Sequence, residues 1–279
     1  MKAAVLGSPI AHSLSPVLHH AGYAALGLDG WSYTTIECAE AGLPDLLASC
    51  GPDWAGLSLT MPLKRAVLPL LDTVDPIAAD TGGANTVVFA AGQRHGYNTD
   101  VAGMVAALAE AGVRAPSSAV VLGAGATACS ALAALRDTGL RTVTVAVRDA
   151  ARAGGLRSVA ERLGVGVDLQ SLADQGASEQ PPPDLLISTV PAGAADFLAD
   201  EFAAGVPAPA CVFDVVYAPW PTRLAEAAQD RGAAVVGGFE LLLHQAVGQF
   251  ELMTGERPAP LEAMRAAGLA ELARRAAAV

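Results

Sequence analysis

The chain has 279 residues, 52% hydrophobic and only 16% charged, with a formal net charge of -11. It is long enough for two domains with substantial cores, too apolar to be disordered, and an unlikely partner for nucleic acid, because its cations are scattered and no basic cluster exceeds Arg274-Arg275. The uncharged run Ala115 to Leu135 contains Pro116, Gly123 and Gly125 and reads as loop, strand, glycine turn and helix rather than as a membrane span.

The opening apolar stretch, Met1 to Gly7, is too short for a signal sequence, and Cys38, Cys50, Cys129 and Cys211 have no metal-ligand spacing. A soluble, cytoplasmic protein with reduced thiols is expected. The first hundred or so residues alternate β-like and helical runs, with strands at Lys2 to Leu6, Trp31 to Cys38 and Trp54 to Leu59. Ser15-Pro16 before Val17 to Leu26 fits an N-cap followed by proline at the first helical position. Pro62 fits the same position and puts Lys64 in the opening turn of a helix. Lys2 and Lys64 are the only lysines among 17 basic residues. A guanidinium cannot exchange a proton near neutral pH, whereas an amine in a suitable setting can; the ordinary alternative is a surface lysine on an amphipathic helix. Residues Gly82 to Asp100 read as loop and short strand, leading into a helix from Val101 to Ala111 for which Asp100 is a natural N-cap.

From Ser118 the pattern becomes regular β-α-β, with strands near Ala119 to Leu122, Thr142 to Val147, Leu185 to Ser188, Cys211 to Val215 and Ala234 to Val236. Gln180-Pro181-Pro182-Pro183 punctuates a loop within it. The run Gly123-Ala124-Gly125-Ala126-Thr127-Ala128 follows a strand and opens a helix, the context in which a glycine fingerprint carries a pyrophosphate. About twenty residues on, where an NAD site places an acid, the next strand ends in Val147-Arg148-Asp149; Arg148 suits a 2′-phosphate and favours NADP. After Gly237-Gly238 come two helices, Phe239 to Met253 and Pro260 to Ala278, with no further strand to cover. The expected fold is therefore α/β with two domains: a discontinuous N-terminal βα domain, residues 1–103 and 238–279, and a doubly wound Rossmann domain, residues 104–237.

Four polar segments sit at predicted strand-to-helix turns, where a βα domain gathers its ligand groups: Gly7 to Pro16, Ser58 to Lys64, Gly83-Ala84-Asn85-Thr86 and Asn98 to Gly103. Together with the glycine loop, Asp214 to Thr222 and Gly237 to Gln245, they resemble the shikimate dehydrogenase family over essentially the whole chain. The resemblance implies NADPH-dependent reduction of 3-dehydroshikimate to shikimate, a step of aromatic amino acid (chorismate) biosynthesis. It implies Lys64 and Asp100 as the catalytic pair, Ser13, Ser15 and Tyr217 at the substrate carboxylate, and Thr60, Asn85 and Gln245, with Ser58, at the ring. It also implies Gly123, Ala124, Gly125, Ala126, Thr127, Arg148, Thr189, Val215 and Gly238 as the NADP-binding residues.

Three departures stand out: Ser58 where the family often has asparagine, Ala126 where it has a further glycine, and Arg148 without the usual flanking Asn and Thr. The last, with Asp149 beside it, keeps open an NAD-preferring quinate/shikimate paralogue. A catalytically idle protein that senses NADP or shikimate is a further alternative. No metal is expected, since no two of the five histidines sit in a ligand motif with carboxylates or cysteines. The expected partner is a small-molecule substrate, with no nucleic acid and no membrane, and the chain acting as a monomer or homodimer.

Overall fold

A computed structural model describes residues 1–175 and 181–278, so Gln180 lies outside the described residues. Its packing divides the chain into two compact units, Met1–Gly103 with Leu242–Val279, and Met104–Leu241; the return to the first unit falls at Leu242 rather than at Gly238.

The first unit is built on a sheet of β1 (Lys2–Gly7), β2 (Ser32–Glu37), β3 (Trp54–Leu59), β4 (Thr73–Val74), β5 (Thr86–Ala90) and β6 (Gln93–Tyr97), in the order β2-β1-β3-β5-β6-β4. Strand β1 is parallel to β2 and β3, while β5 runs antiparallel to β3 and β6. The continuous apolar runs of β1 and β3 are buried almost throughout, as expected of strands covered on both faces. Leu6, Leu43, Leu57, Leu63 and Val87 are wholly buried in this core, each worth about 1.5–3 kcal/mol of apolar burial. The β5–β6 hairpin was not anticipated. Its two-residue turn holds Ala91 at φ 51° and Gly92 at φ 74°, a left-handed pair that alanine does not advertise.

The capping assignments also differ from expectation. Helix Ser15–Ala25 has Leu14 as its N-cap, and Ser15 already lies inside the first turn. The Ser13 hydroxyl oxygen takes over the satisfying role, accepting from the Ser15 N–H at 3.2 Å. In the same helix His19 is fully buried and stacks on Tyr33, with centroids 4.0 Å apart and planes at 12°. Burial lowers its pKa from 6.5 to about 3 against an opposing pull from the nearby Gln249 side chain, although by hydrogen-bond geometry neither ring nitrogen is paired among the described residues. A folded-state value below the unfolded one means that unfolding takes up a proton throughout that window, so stability falls as pH drops below 6.5. This single group should remove roughly 2 kcal/mol between about pH 7 and pH 5. Urea midpoints across that range, compared with those of His19→Phe, read it directly; an unchanged pH slope in the variant would refute the assignment.

The second unit holds β7 (Ala119–Leu122), β8 (Thr142–Val147), β9 (Gly166–Ser171), β10 (Leu185–Ser188), β11 (Cys211–Asp214) and β12 (Ala234–Gly237). All pair in parallel in the order β12-β11-β10-β7-β8-β9, the doubly wound arrangement, with the chain direction of travel reversing between β7 and β10. Strand β9 escaped the sequence reading because Asp168 and Gln170 give this edge strand little apolar character. Helix Ala126–Asp137 buries every residue from Ala128 to Leu135, its alanines allowing a close seat in the core. Among the described residues no helix is long and apolar enough to cross a membrane.

Candidate active site

Lys64 is placed by its neighbours. Strand β3 ends at Leu59, the Leu63 N–H closes a turn on the Thr60 carbonyl at 2.8 Å, and the wholly buried Leu63 anchors the short helix Leu63–Ala66. The Lys64 carbonyl accepts from the Ala84 N–H at 2.8 Å, which fastens this turn to the Gly83-Ala84-Asn85-Thr86 segment. The ammonium then reaches Asp100, with Nζ 2.6 Å from Oδ2 and side-chain exposures of 17% and 6%. Lys64 is thus a largely enclosed member of an ion pair, not the solvated surface lysine that was the ordinary alternative.

Asp100 is available for that pairing because another residue caps its helix. Helix Thr99–Glu110 has the Asp100 N–H donating to Asn98 Oδ1 at 3.0 Å. Asn98 is itself pinned, its Nδ2 donating to Thr81 Oγ1 at 2.9 Å and to the Gly83 carbonyl at 3.0 Å. The expected capping role of Asp100 thus passes to Asn98. The second carboxylate oxygen of Asp100 accepts from Asn85 Nδ2 at 2.9 Å. Asn85, 1% exposed, also meets Gln245 Oε1 at 3.3 Å, while its own Oδ1 accepts from the Thr99 N–H and Thr86 Oγ1, both at 2.8 Å. Gly103 explains how Gln245 comes so close. A Cβ at Gly103 would stand 2.8 Å from the Gln245 nitrogen, so only glycine lets the two helix backbones approach at this point.

Ser58 is 2% exposed, donates to Gln249 Oε1 at 2.8 Å and accepts from Tyr33 Oη at 2.6 Å. Ser13 and Ser15 sit on and just after a loop held from two directions. Glu37 accepts from Ser8 Oγ and from the Ile10 N–H, and Arg275 Nη1 donates to the His12 carbonyl at 2.7 Å. Gln249, Glu37 and Arg275 were not singled out in the sequence, and Asn98 appeared there only as the head of the segment Asn98 to Gly103; of the first three, only Gln249, one helical turn beyond Gln245, offered a signal.

In the second unit the glycine loop lies between β7 and helix Ala126–Asp137, at the reversal in strand order. Gly123 has φ 104°, and a Cβ there would stand 2.8 Å from Thr189 Oγ1, which itself donates to the Leu122 carbonyl at 2.7 Å. Gly125 is the N-cap, no side chain caps the helix, and a Cβ at Gly125 would meet nothing within 4 Å. First-turn N–H groups opening onto free space fit a diphosphate, so the residues present suit a dinucleotide; Ala124, Ala126 and Thr127 line the same turn and are half-buried. Arg148 is exposed at the end of β8 and makes no ion pair among the described residues. Asp149 Oδ1 accepts from the Ala151 N–H at 2.9 Å, so this carboxylate caps the short helix that follows. Beyond β11, the buried Asp214 accepts from Thr222 Oγ1 at 2.7 Å and from the Val216 N–H at 3.2 Å, with its pKa raised by burial. That fixes the segment carrying Val215 and the half-buried Tyr217.

A buried ammonium–carboxylate pair suits proton transfer to a carbonyl oxygen, and a doubly wound sheet with a glycine loop suits a dinucleotide, so fold and site define an α/β dinucleotide-dependent oxidoreductase. Comparison with known proteins narrows the class. Residues 5–87 match the model described as shikimate dehydrogenase substrate binding domain, and residues 238–267 that described as shikimate 5'-dehydrogenase C-terminal domain. A shikimate dehydrogenase (NADP(+)) of Haloarcula marismortui is 39% identical over 93% of this chain and 95% of its own length. The crystal structure of Mycobacterium tuberculosis shikimate dehydrogenase superposes with a TM-score of 0.85 at 42% identity, covering 96% of this chain and 98% of the other. The Thermus thermophilus shikimate 5-dehydrogenase in complex with NADP(H) and shikimate superposes at 0.80 with 33% identity, covering 97% and 99%. The chain belongs to the shikimate dehydrogenase family.

Proposed function

We propose that the chain catalyses the reversible NADPH-dependent reduction of 3-dehydroshikimate to shikimate. The observation that carries this reading is the Lys64–Asp100 pair, 2.6 Å between Nζ and Oδ2, with Asn85 on the other carboxylate oxygen. When bound, the reduced nicotinamide supplies the hydride. The Lys64 ammonium stabilises the alkoxide that forms at the carbonyl oxygen and delivers the proton; in the reverse direction the amine accepts it. Asp100 fixes where Nζ points and accepts from the adjacent hydroxyl. Asn85, Gln245 and Thr60 bond the ring hydroxyls, and Ser13 and Ser15 take the carboxylate. Ser58 belongs behind this layer, since its hydroxyl proton is given to Gln249.

The unit Met1–Gly103 with Leu242–Val279 holds the substrate, and Met104–Leu241 the dinucleotide. Gly123 to Thr127, Thr189, Val215 and Gly238 form the dinucleotide's bed, and Arg148 meets the 2′-phosphate with a guanidinium that no described carboxylate neutralises. Asp149 is occupied as a cap, which supports NADP over NAD. The chain acts as a monomer or a homodimer in the cytoplasm.

The test is reduced-nicotinamide absorbance with shikimate or quinate and NADP or NAD. Rapid reduction confined to shikimate with NADP is expected, and silence with both substrates would overturn the reading. Arg148→Ala should raise the KM for NADP about 10–100-fold, from loss of a charge-assisted pair, and leave that for NAD nearly unchanged. An equal effect on both cofactors would remove Arg148 from the phosphate.

A further inference from the structure

The groups that touch the reacting ring in the reading above are themselves held by a residue that touches none of it. Gln249 lies on the helix Gly238–Thr254, is 1% exposed and sits one turn beyond Gln245 on the same face. Its amide is fixed at both ends. Oε1 accepts from Ser58 Oγ at 2.8 Å, and Nε2 donates to the main-chain carbonyl of Asn85 at 3.1 Å. That carbonyl also accepts from the Leu59 N–H at 2.7 Å, so Asn85 is gripped by β3 and by the helix at once. Tyr33 Oη, donating to Ser58 Oγ at 2.6 Å, completes a buried line from Tyr33 through Ser58 and Gln249 to Asn85. On the far side of Asn85 stand Asp100 and Gln245.

We infer that Gln249 is the positioning residue of the substrate-hydroxyl contacts: by bridging Ser58 and the Asn85 backbone, it sets the rotation and depth of the helix turn that presents Gln245 to Asn85. This rests on the shikimate reading of the site. Two features make the bridge more than ordinary core polarity. The chemistry of its partners, a hydroxyl on one side and a carbonyl on the other, permits only one orientation of the amide. The Asn85–Gln245 contact it governs is the longest in the cluster, 3.3 Å, and therefore the first to be lost if the helix turns by a small angle. Removing the amide also leaves the buried Ser58 hydroxyl without its acceptor, which draws Ser58 and β3 out of register with the helix. Lys64 and Asp100 hold each other without help from Gln249, so the chemical step is affected less than binding.

The experiment compares Gln249→Met, which keeps the volume and loses both hydrogen bonds, with Leu43→Ala, which opens a cavity in an apolar cluster of the same unit that includes none of Tyr33, Ser58 and Gln249. Leu43 is fully buried and its truncation lowers the melting midpoint by leaving a cavity, serving as the control for lost stability alone. Titration calorimetry of shikimate into each protein and steady-state kinetics are the readouts. Gln249→Met should weaken shikimate binding and raise its KM about 10-fold, with kcat within about threefold and the KM for NADP unchanged. Leu43→Ala should leave the shikimate KM at the wild-type value. Ser58→Ala, which frees Gln249 Oε1 but spares the Asn85 bond, should fall between Gln249→Met and wild type, and Tyr33→Phe should be close to wild type. If Gln249→Met loses stability but binds shikimate as the wild type does, the residue is merely structural and the inference is overturned. If the wild type itself does not bind or oxidise shikimate, the proposed function fails first, and the two failures are told apart in the same series.

Discussion

Lys64→Ala should lower kcat for shikimate oxidation by about 10³-fold while shikimate affinity changes less than about fivefold. The expectation follows from where the charge appears. In the proposed mechanism the reacting oxygen alternates between alkoxide-like and carbonyl states and Lys64 Nζ serves as its donor; the structure holds that Nζ 2.6 Å from Asp100 Oδ2. Alanine removes the proposed proton source and the counter-charge together, and leaves Asp100 a buried carboxylate that keeps its bond from Asn85 but has lost its cation. Lys64→Arg separates the two contributions. It restores the positive charge beside Asp100 but not an exchangeable amine, and should remain at least about 10²-fold below wild type. Stopped-flow single turnovers, with calorimetric binding measured in parallel, provide the check. A loss of only a fewfold in kcat would make Lys64 a binding residue and remove the proton-transfer step from the mechanism.

Gly238→Ala should cost about 3 kcal/mol of stability, because the added methyl has nowhere to go. A Cβ on Gly238 would overlap the main-chain carbonyl oxygen of Val215, with the Val216 carbonyl carbon at 2.8 Å on the same side. Those atoms belong to the backbone immediately after β11, and the Gly238 N–H donates to the Val216 carbonyl at 3.2 Å, so neither strand can retreat without breaking that bond. A thermal midpoint lower by roughly 6–12 °C follows for a chain of this size. Because the displaced Val215-Val216 backbone is also part of the proposed dinucleotide bed, NADP affinity should fall as well. A Gly238→Ala protein with wild-type melting would mean that the crossing is looser than the geometry indicates.

Much of the fold was legible because the strands carry their own signature. Strands β3, β7, β8 and β10 were placed with the ends later observed, and β1, β2, β11 and β12 within a residue, since each is an apolar run bounded by polar or glycine turns. What escaped were elements whose signal is displaced. Strand β9 is polar on one side, β4 has two residues, and the β5–β6 turn hides behind Ala91. The site was legible as motifs but not as contacts. The sequence brings Lys64 and Asp100 to turns, yet only the fold shows that Asn98 releases Asp100 from capping. Similarly, Ser58 looked like a ligand contact, and its commitment to Gln249, 191 residues away, is written in tertiary packing alone.

That long separation bears on how the molecule comes into being. The unit Met104–Leu241 is contiguous and can close as soon as it has been made, whereas the first unit is interrupted and lacks residues 242–279 until they too have been made. At ribosomal rates the interval between Gly103 and Leu242 amounts to roughly ten seconds or more. During that time Lys64 and Asp100 have been synthesised, but the helix bearing Gln245 and Gln249 has not. The nascent first unit thus waits with an unfinished edge, and shortening the chain after residue 241 would silence the site without altering either member of its ion pair.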